Sequence, residues 1–78
     1  MMPKKDVFAE FEKKFKEVTG RDLNSKSDAR MLLMSLMRAR ENTIESRKRA
    51  LIDYLVTYEG LTEDEAKAIA DYTASLLQ

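Results

Sequence analysis

The chain has 78 residues, and its 14 basic and 14 acidic side chains cancel to a formal net charge of +0. It contains no Cys and no His, which argues against disulfides, thiolate chemistry and imidazole-based catalysis or metal binding. The longest run of large apolar residues, 31–34, is far too short to cross a bilayer. We therefore expect one soluble, cytoplasmic domain over residues 1–78, with no cofactor, no metal, no membrane contact and no small-molecule substrate.

Helix-forming residues dominate the sequence, and no stretch shows the sustained apolar and polar alternation of a strand. The pattern predicts an all-α fold, a compact four-helix bundle-like domain with helices over about 5–19, 28–40, 43–59 and 62–77. Gly20 and Gly60 suit the ends of the first and third helices, because glycine adopts the left-handed conformation that often closes a helix.

The first helix carries three Phe residues on one side. Phe8, Phe11 and Phe15 fall within one arc at helical spacing, with Val7 and Val18 beside them. A partner-binding amphipathic helix is one interpretation of this stripe, and a core anchor is the one we favour.

The second helix is apolar in almost every direction, so we expect it to be buried on all sides, either inside the domain or against a second chain. Ser25, Ser27 or Asp28 is its predicted N-cap. Three methionines, spaced by three residues, serve either as gap-filling core residues or as an adaptable binding surface: Met31, Met34 and Met37.

The third helix is predicted to begin with Asn42 as a capping residue and to project its N-terminal half beyond the core. Its apolar residues cover more than half of its circumference, so we expect the second and third helices to be the most buried. The fourth helix has the most specific local signal, a capping box formed by Thr62 and Glu65. Its small apolar residues suit close helix packing.

The zero net charge conceals a strong polarity along the chain. Residues 26–49 carry seven basic and three acidic side chains, a net charge of +4, whereas residues 50–78 carry one basic and six acidic, a net charge of −5. Arg38 and Arg40 suit the C-terminal end of the second helix, so ordinary surface charge is one explanation. The basic triplet 47–49 lies near a helix start, where positive charge is unfavourable, so it indicates another role.

No pattern of catalytic residues emerges, because the acids near residue 63 belong to a helix start and no Ser has a His partner. We therefore predict that the chain is not an enzyme. The leading prediction is a small protein-interaction or regulatory module, whose partner is another protein or, as a homodimer, a second copy of itself. The predicted contact residues are Met31, Met34, Arg38, Arg40, Arg47, Lys48 and Arg49.

The alternative is nucleic-acid binding. The second and third helices, joined by a short turn, have the outline of a helix-turn-helix, in which the start of the second helix of the pair reaches base edges. The neutral net charge and a pI near 6.3 argue against it. The residues expected to contact nucleic acid in this alternative are Asn42, Thr43, Ser46, Arg47 and Arg49.

Overall fold

The computed structural model describes residues 6–38 and 43–77, and these residues contain helices but no strand. The four helices are α1 (Val7–Thr19), α2 (Lys26–Arg38), α3 (Ile44–Tyr58) and α4 (Glu63–Leu76). The predicted all-α fold is confirmed. Each described helix end lies within two residues of its predicted position, and the predicted boundaries at residues 5 and 40 fall outside the described residues.

The three Phe residues of α1 belong to the core, as expected. The Asp6 carboxylate caps the helix, accepting hydrogen bonds from the backbone N–H groups of Phe8 (3.1 Å) and Ala9 (3.3 Å). Phe11 and Phe15 are completely buried, and Phe8 is nearly so. Gly20 ends the helix in the left-handed conformation, at φ 77°.

Helix α2 is buried on one side only, so the prediction that it is buried on all sides inside the domain is wrong, whereas burial against a second chain stays a prediction. It begins at Lys26, two residues earlier than predicted, and Ser25 accepts a hydrogen bond from the N–H of Asp28 (3.3 Å). Ala29, Leu33 and Leu36 face the core. The physical reason is that α2 packs chiefly against α1 at the edge of the domain, which leaves its outer side without a covering element among the described residues.

Helix α4, rather than α2 or α3, is the central element. It packs against both α1 and α3, and its small side chains allow this close double contact. The prediction that the second and third helices are the most buried is therefore wrong. The buried side chains of α4 are Ala66, Ile69, Ala70, Thr73 and Ala74.

The start of α4 is organised as the sequence predicts. The Thr62 hydroxyl accepts from the N–H of Glu65 (3.2 Å), and the Glu65 carboxylate accepts from the N–H of Thr62 (3.1 Å). The capping box is thus confirmed. None of the four helices, over the described residues, has the length and apolar character needed to cross a membrane.

The start of α3 departs from prediction in two ways. Its N-cap is Thr43, whereas Asn42 lies outside the described residues. The first turns do not project beyond the core, because Arg47 Nη1 donates to the carbonyl of Leu77 (2.9 Å) and Lys48 Nζ lies 3.6 Å from the carboxylate of Asp71. The acidic and apolar surface of α4 thus holds the basic start of α3 in place.

Candidate functional site

The outer side of α2 carries the most continuous exposed apolar surface that the described helices present. We call it the Met face and define it by five residues, Arg30, Met31, Met34, Met37 and Arg38. With about 100° of rotation per residue, Met34 lies at its centre and the other two methionines lie about 60° to either side. The two arginines lie one turn before and one turn after Met34, at about 40° to either side.

The methionines of this face are exposed rather than part of the core. The exposed fraction is 68% for Met31, 46% for Met34 and 54% for Met37. Methionine has a flexible, polarisable side chain that adapts to varied apolar surfaces. Three such residues on one helix side, grouped rather than scattered, are typical of a contact surface.

The surface around the Met face contains two concave regions. One is lined by Met31, Met34 and Arg38, together with Ser35. The other has a volume of about 190 Å³ and reaches from Met34 across to the start of α1. Small-molecule sites usually measure roughly 300–1,000 Å³. The first region, at about 390 Å³, falls within that range but lies open to solvent, whereas the second suits one inserted side chain better than a ligand.

Both arginines of the Met face present their charge to solvent. The Arg30 guanidinium lies 4.4 Å from the ring centroid of Phe8, a cation–π contact that orients the side chain without neutralising it. Arg38 occupies the last turn of α2, where positive charge is favourable. Neither arginine forms a salt bridge with a carboxylate among the described residues. The Met face is therefore apolar at its centre and positive at both ends.

The basic triplet of α3 belongs to a different surface. Arg47 donates to the end of α4, and Lys48 lies between Glu45 (3.8 Å) and Asp71 (3.6 Å). Arg49 lies 4.0 Å from Asp53, one turn along its own helix. These contacts give the triplet a role within the domain that explains its position near a helix start.

The predicted contact set is thus divided by the fold. Met31, Met34 and Arg38 line one concave region, whereas Lys48 and Arg49 line a groove between α3 and α4 with acidic residues of both helices. Neither of these two concave regions includes members of both groups. Arg40 lies outside the described residues.

Most of the predicted nucleic-acid contacts are engaged locally. The Thr43 hydroxyl accepts from the N–H of Ser46 (3.1 Å), and the Ser46 hydroxyl donates to the carbonyl of Thr43 (3.0 Å). Arg47 and Arg49 have the partners given above, and Asn42 is not described. Nucleic-acid binding by this segment remains a prediction.

One important residue escaped the sequence interpretation. Glu59 is only 4% exposed, and its carboxylate accepts hydrogen bonds from Arg21 Nη1 (3.1 Å) and from the N–H of Asn24 (3.0 and 3.1 Å). Arg21 Nη2 also donates to the Glu59 carbonyl (2.6 Å). A signal was present, because an acid at a helix C-terminus is unfavourable unless a specific partner holds it. The hydrogen bonds of Arg21 and Asn24 to Glu59 connect the α1–α2 loop to the end of α3, which is a structural role.

A second polar contact joins α1 to α4. The Tyr72 hydroxyl donates to the Glu10 carboxylate (2.6 Å), and this hydrogen bond raises the pKa of Tyr72 above its usual value. Lys14 lies 5.4 Å from the centroid of the same ring. Within residues 6–38 and 43–77, no group of three or more acidic side chains is placed to hold a metal ion.

Comparison of the chain with protein-family models, with curated proteins and with solved structures gives no match. The site must therefore be interpreted from its own geometry.

Proposed function

We propose that this chain is a small, non-enzymatic protein-interaction module that binds its partner through the Met face of α2. The observation that carries the proposal is the exposure of Met31, Met34 and Met37, on a helix whose opposite side is buried in the core. A helix needs only its inner side to stabilise a domain, and the exposed part of each of the three methionines makes no packing contact within the described residues. Adaptable contact with another protein is the role that their chemistry suits.

The proposal narrows the set of contact residues. Met31, Met34 and Arg38 remain in it, and Arg30 and Met37 join it because they complete the same surface. The triplet 47–49 is left out because its contacts lie within the domain. A regulatory role and a cytoplasmic location stay predictions from the sequence.

The experiment that tests the proposal selects binders without assuming a partner. A library of helical peptides is selected against the folded domain, and the bound surface is mapped by NMR chemical-shift changes. We expect the changes to centre on the Met face. The triple variant Met31→Ser, Met34→Ser, Met37→Ser should lose binding while keeping its helical circular dichroism, because substitutions of exposed side chains usually change stability by less than about 0.5 kcal/mol each.

The matched control removes exposed apolar groups from another part of the surface. Ile44 and Tyr58 are 38% and 69% exposed, and neither belongs to the Met face. The double variant Ile44→Ser, Tyr58→Ser should bind the selected peptides as the wild type does. If the control loses binding equally, or if the peptides map to the start of α3, the Met face is not the contact surface.

Two further measurements separate the other predicted partners. Sedimentation over a range of concentrations reports self-association, and a Met-dependent dimer would identify a second copy as the partner. Titration with duplex DNA at low and moderate salt reports nucleic-acid binding, since phosphate contacts give an affinity that falls steeply with salt. We expect both dimerisation and DNA binding to be weaker than the binding of the selected peptides to the Met face.

A further inference from the structure

We infer that the Met face receives an acidic amphipathic helix from another protein, rather than the Met face of a second copy of this chain. This inference rests on the proposed function and specifies the chemistry of its partner. Its basis is the symmetric placement of Arg30 and Arg38 about Met34 on α2. Both arginines are exposed, so a bound partner meets their charges.

The residues of the Met face read almost identically in both directions along the helix. The sequence from Arg30 to Arg38 is Arg-Met-Leu-Leu-Met-Ser-Leu-Met-Arg, with Met34 at its centre. Position 34 is therefore an approximate two-fold centre, with a methionine three residues away and an arginine four residues away on each side. Because α2 is helical throughout this range, the symmetry applies to the surface as well as to the sequence.

This symmetry opposes pairing of two Met faces. In an antiparallel pair centred on Met34, Arg30 lies opposite Arg38 of the second copy, and Arg38 lies opposite Arg30 of the second copy. In a parallel pair, each arginine lies opposite itself. Both arrangements place like charges together where apolar burial has removed water, which strengthens their repulsion. Pairing of one Met face with another is therefore disfavoured in either orientation.

The same pattern describes the partner that is favoured. An amphipathic helix lying along α2 contacts the methionines with apolar residues at spacings of three and four. Arg30 and Arg38 are eight residues apart, or about 12 Å along the axis, so carboxylates at a similar separation reach both guanidinium groups. Arginine binds carboxylates with paired hydrogen bonds, which fixes the register of the bound helix.

A lipid surface fits less well. A helix that lies on a membrane keeps its cations at the border of its apolar side, where they reach the headgroups. Here the arginines lie within about 40° of Met34, inside the arc that the methionines span. Insertion of the methionines would carry both charges toward the hydrocarbon, which is costly. Membrane binding is therefore an outcome that would overturn the inference.

The test uses three synthetic helical peptides with the same three Leu residues and different end residues. One carries Glu at the two positions eight residues apart, one carries Gln, and one carries Lys. Binding to the wild-type domain is measured by fluorescence anisotropy at low and high salt. We expect the Glu peptide to bind about tenfold more tightly than the Gln peptide at low salt, the combined effect of two partly exposed ion pairs. The Lys peptide should bind most weakly, and high salt should reduce these differences.

The double variant R30E/R38E provides the reciprocal measurement. It should prefer the Lys peptide to the Glu peptide, provided that its circular dichroism shows an intact fold. If this variant does not fold, the comparison of the Glu, Gln and Lys peptides on the wild-type domain still decides the test.

Each outcome separates this inference from the proposed function. Equal binding of the Glu and Gln peptides at the Met face would overturn the inference and leave the proposed function standing. A wild-type dimer that the Met-to-Ser triple variant abolishes, or Met-dependent binding to anionic vesicles without peptide binding, would also overturn it. Failure of every peptide, including those from the unbiased library, would contradict the proposed function itself.

Discussion

At the scale of single residues, Glu59 is the one charged side chain that is buried among the described residues. Its side chain is 1% exposed, whereas that of Arg21 is 42% exposed, so the acid is held inside the domain by a partner that remains half in solvent. The backbone N–H of Asn24 supplies the other contacts. A buried carboxylate needs such partners, because an unpaired charge away from water is strongly destabilising.

We expect Glu59→Gln to lower the free energy of unfolding by about 1.5–3 kcal/mol, the usual range for hydrogen bonds to a charged group. The amide keeps the shape of the side chain but loses its charge, and its NH₂ group cannot accept hydrogen bonds from the donors that face it. Denaturant unfolding measures the change. The control is Glu17→Gln, because the Glu17 side chain is 62% exposed and its ion pair with Lys14 spans 3.6 Å. Equal stability of the two variants would show that the cluster around Glu59 contributes little.

At the scale of helices, local sequence predicts how a helix begins but not which of its sides is buried. The helix α4 start was predicted in detail, because the capping hydrogen bonds of Thr62 and Glu65 join residues only three positions apart. The role of α2 was not, because its residues are apolar in nearly every direction. Which side becomes the core depends on where α1 packs, and that information is not contained in the periodicity of α2 itself.

We expect Thr62→Ala to lower the free energy of unfolding by about 1 kcal/mol, the typical contribution of an N-cap side chain. Because Thr62 and Glu65 satisfy each other's N–H groups, the double variant with Glu65→Ala should lose less than the sum of the two single changes. A thermal or denaturant double-mutant cycle measures this coupling. Thr57→Ala is the matched control, since Thr57 is exposed within α3 and alanine favours a helix there. Strict additivity of the two changes would contradict a reciprocal capping box.

At the scale of the whole molecule, the opposite charges of the two halves are brought into contact. The positive residues at the start of α3 lie against the acidic side and the C-terminal carbonyls of α4, as the contacts of Arg47 and Lys48 demonstrate. The charge polarity along the sequence therefore contributes to folding in this region. The two arginines of the Met face, by contrast, have no carboxylate partner among the described residues.

We expect Arg47→Ser to lower the free energy of unfolding by about 1–2 kcal/mol, because the side chain loses its hydrogen bond to Leu77 and its packing against α4. Arg49→Ser should change it by less than about 0.5 kcal/mol, since the Arg49 side chain is 69% exposed and pairs with Asp53 only at 4.0 Å. Chemical denaturation of both variants compares them directly. If Arg47→Ser is as stable as Arg49→Ser, the start of α3 is not held by α4.

The sequence by itself determined the features that depend on near neighbours: the four helices, the Phe stripe of α1 and the capping box of α4. These follow from interactions within about four residues, which a linear pattern records directly. The tertiary structure decided which side of α2 is exposed, that α4 is central, and that Arg47 and Lys48 contact α4 and its C-terminal end. Each of these depends on which helices become neighbours, and neighbours distant in sequence are set by the packing of the whole core.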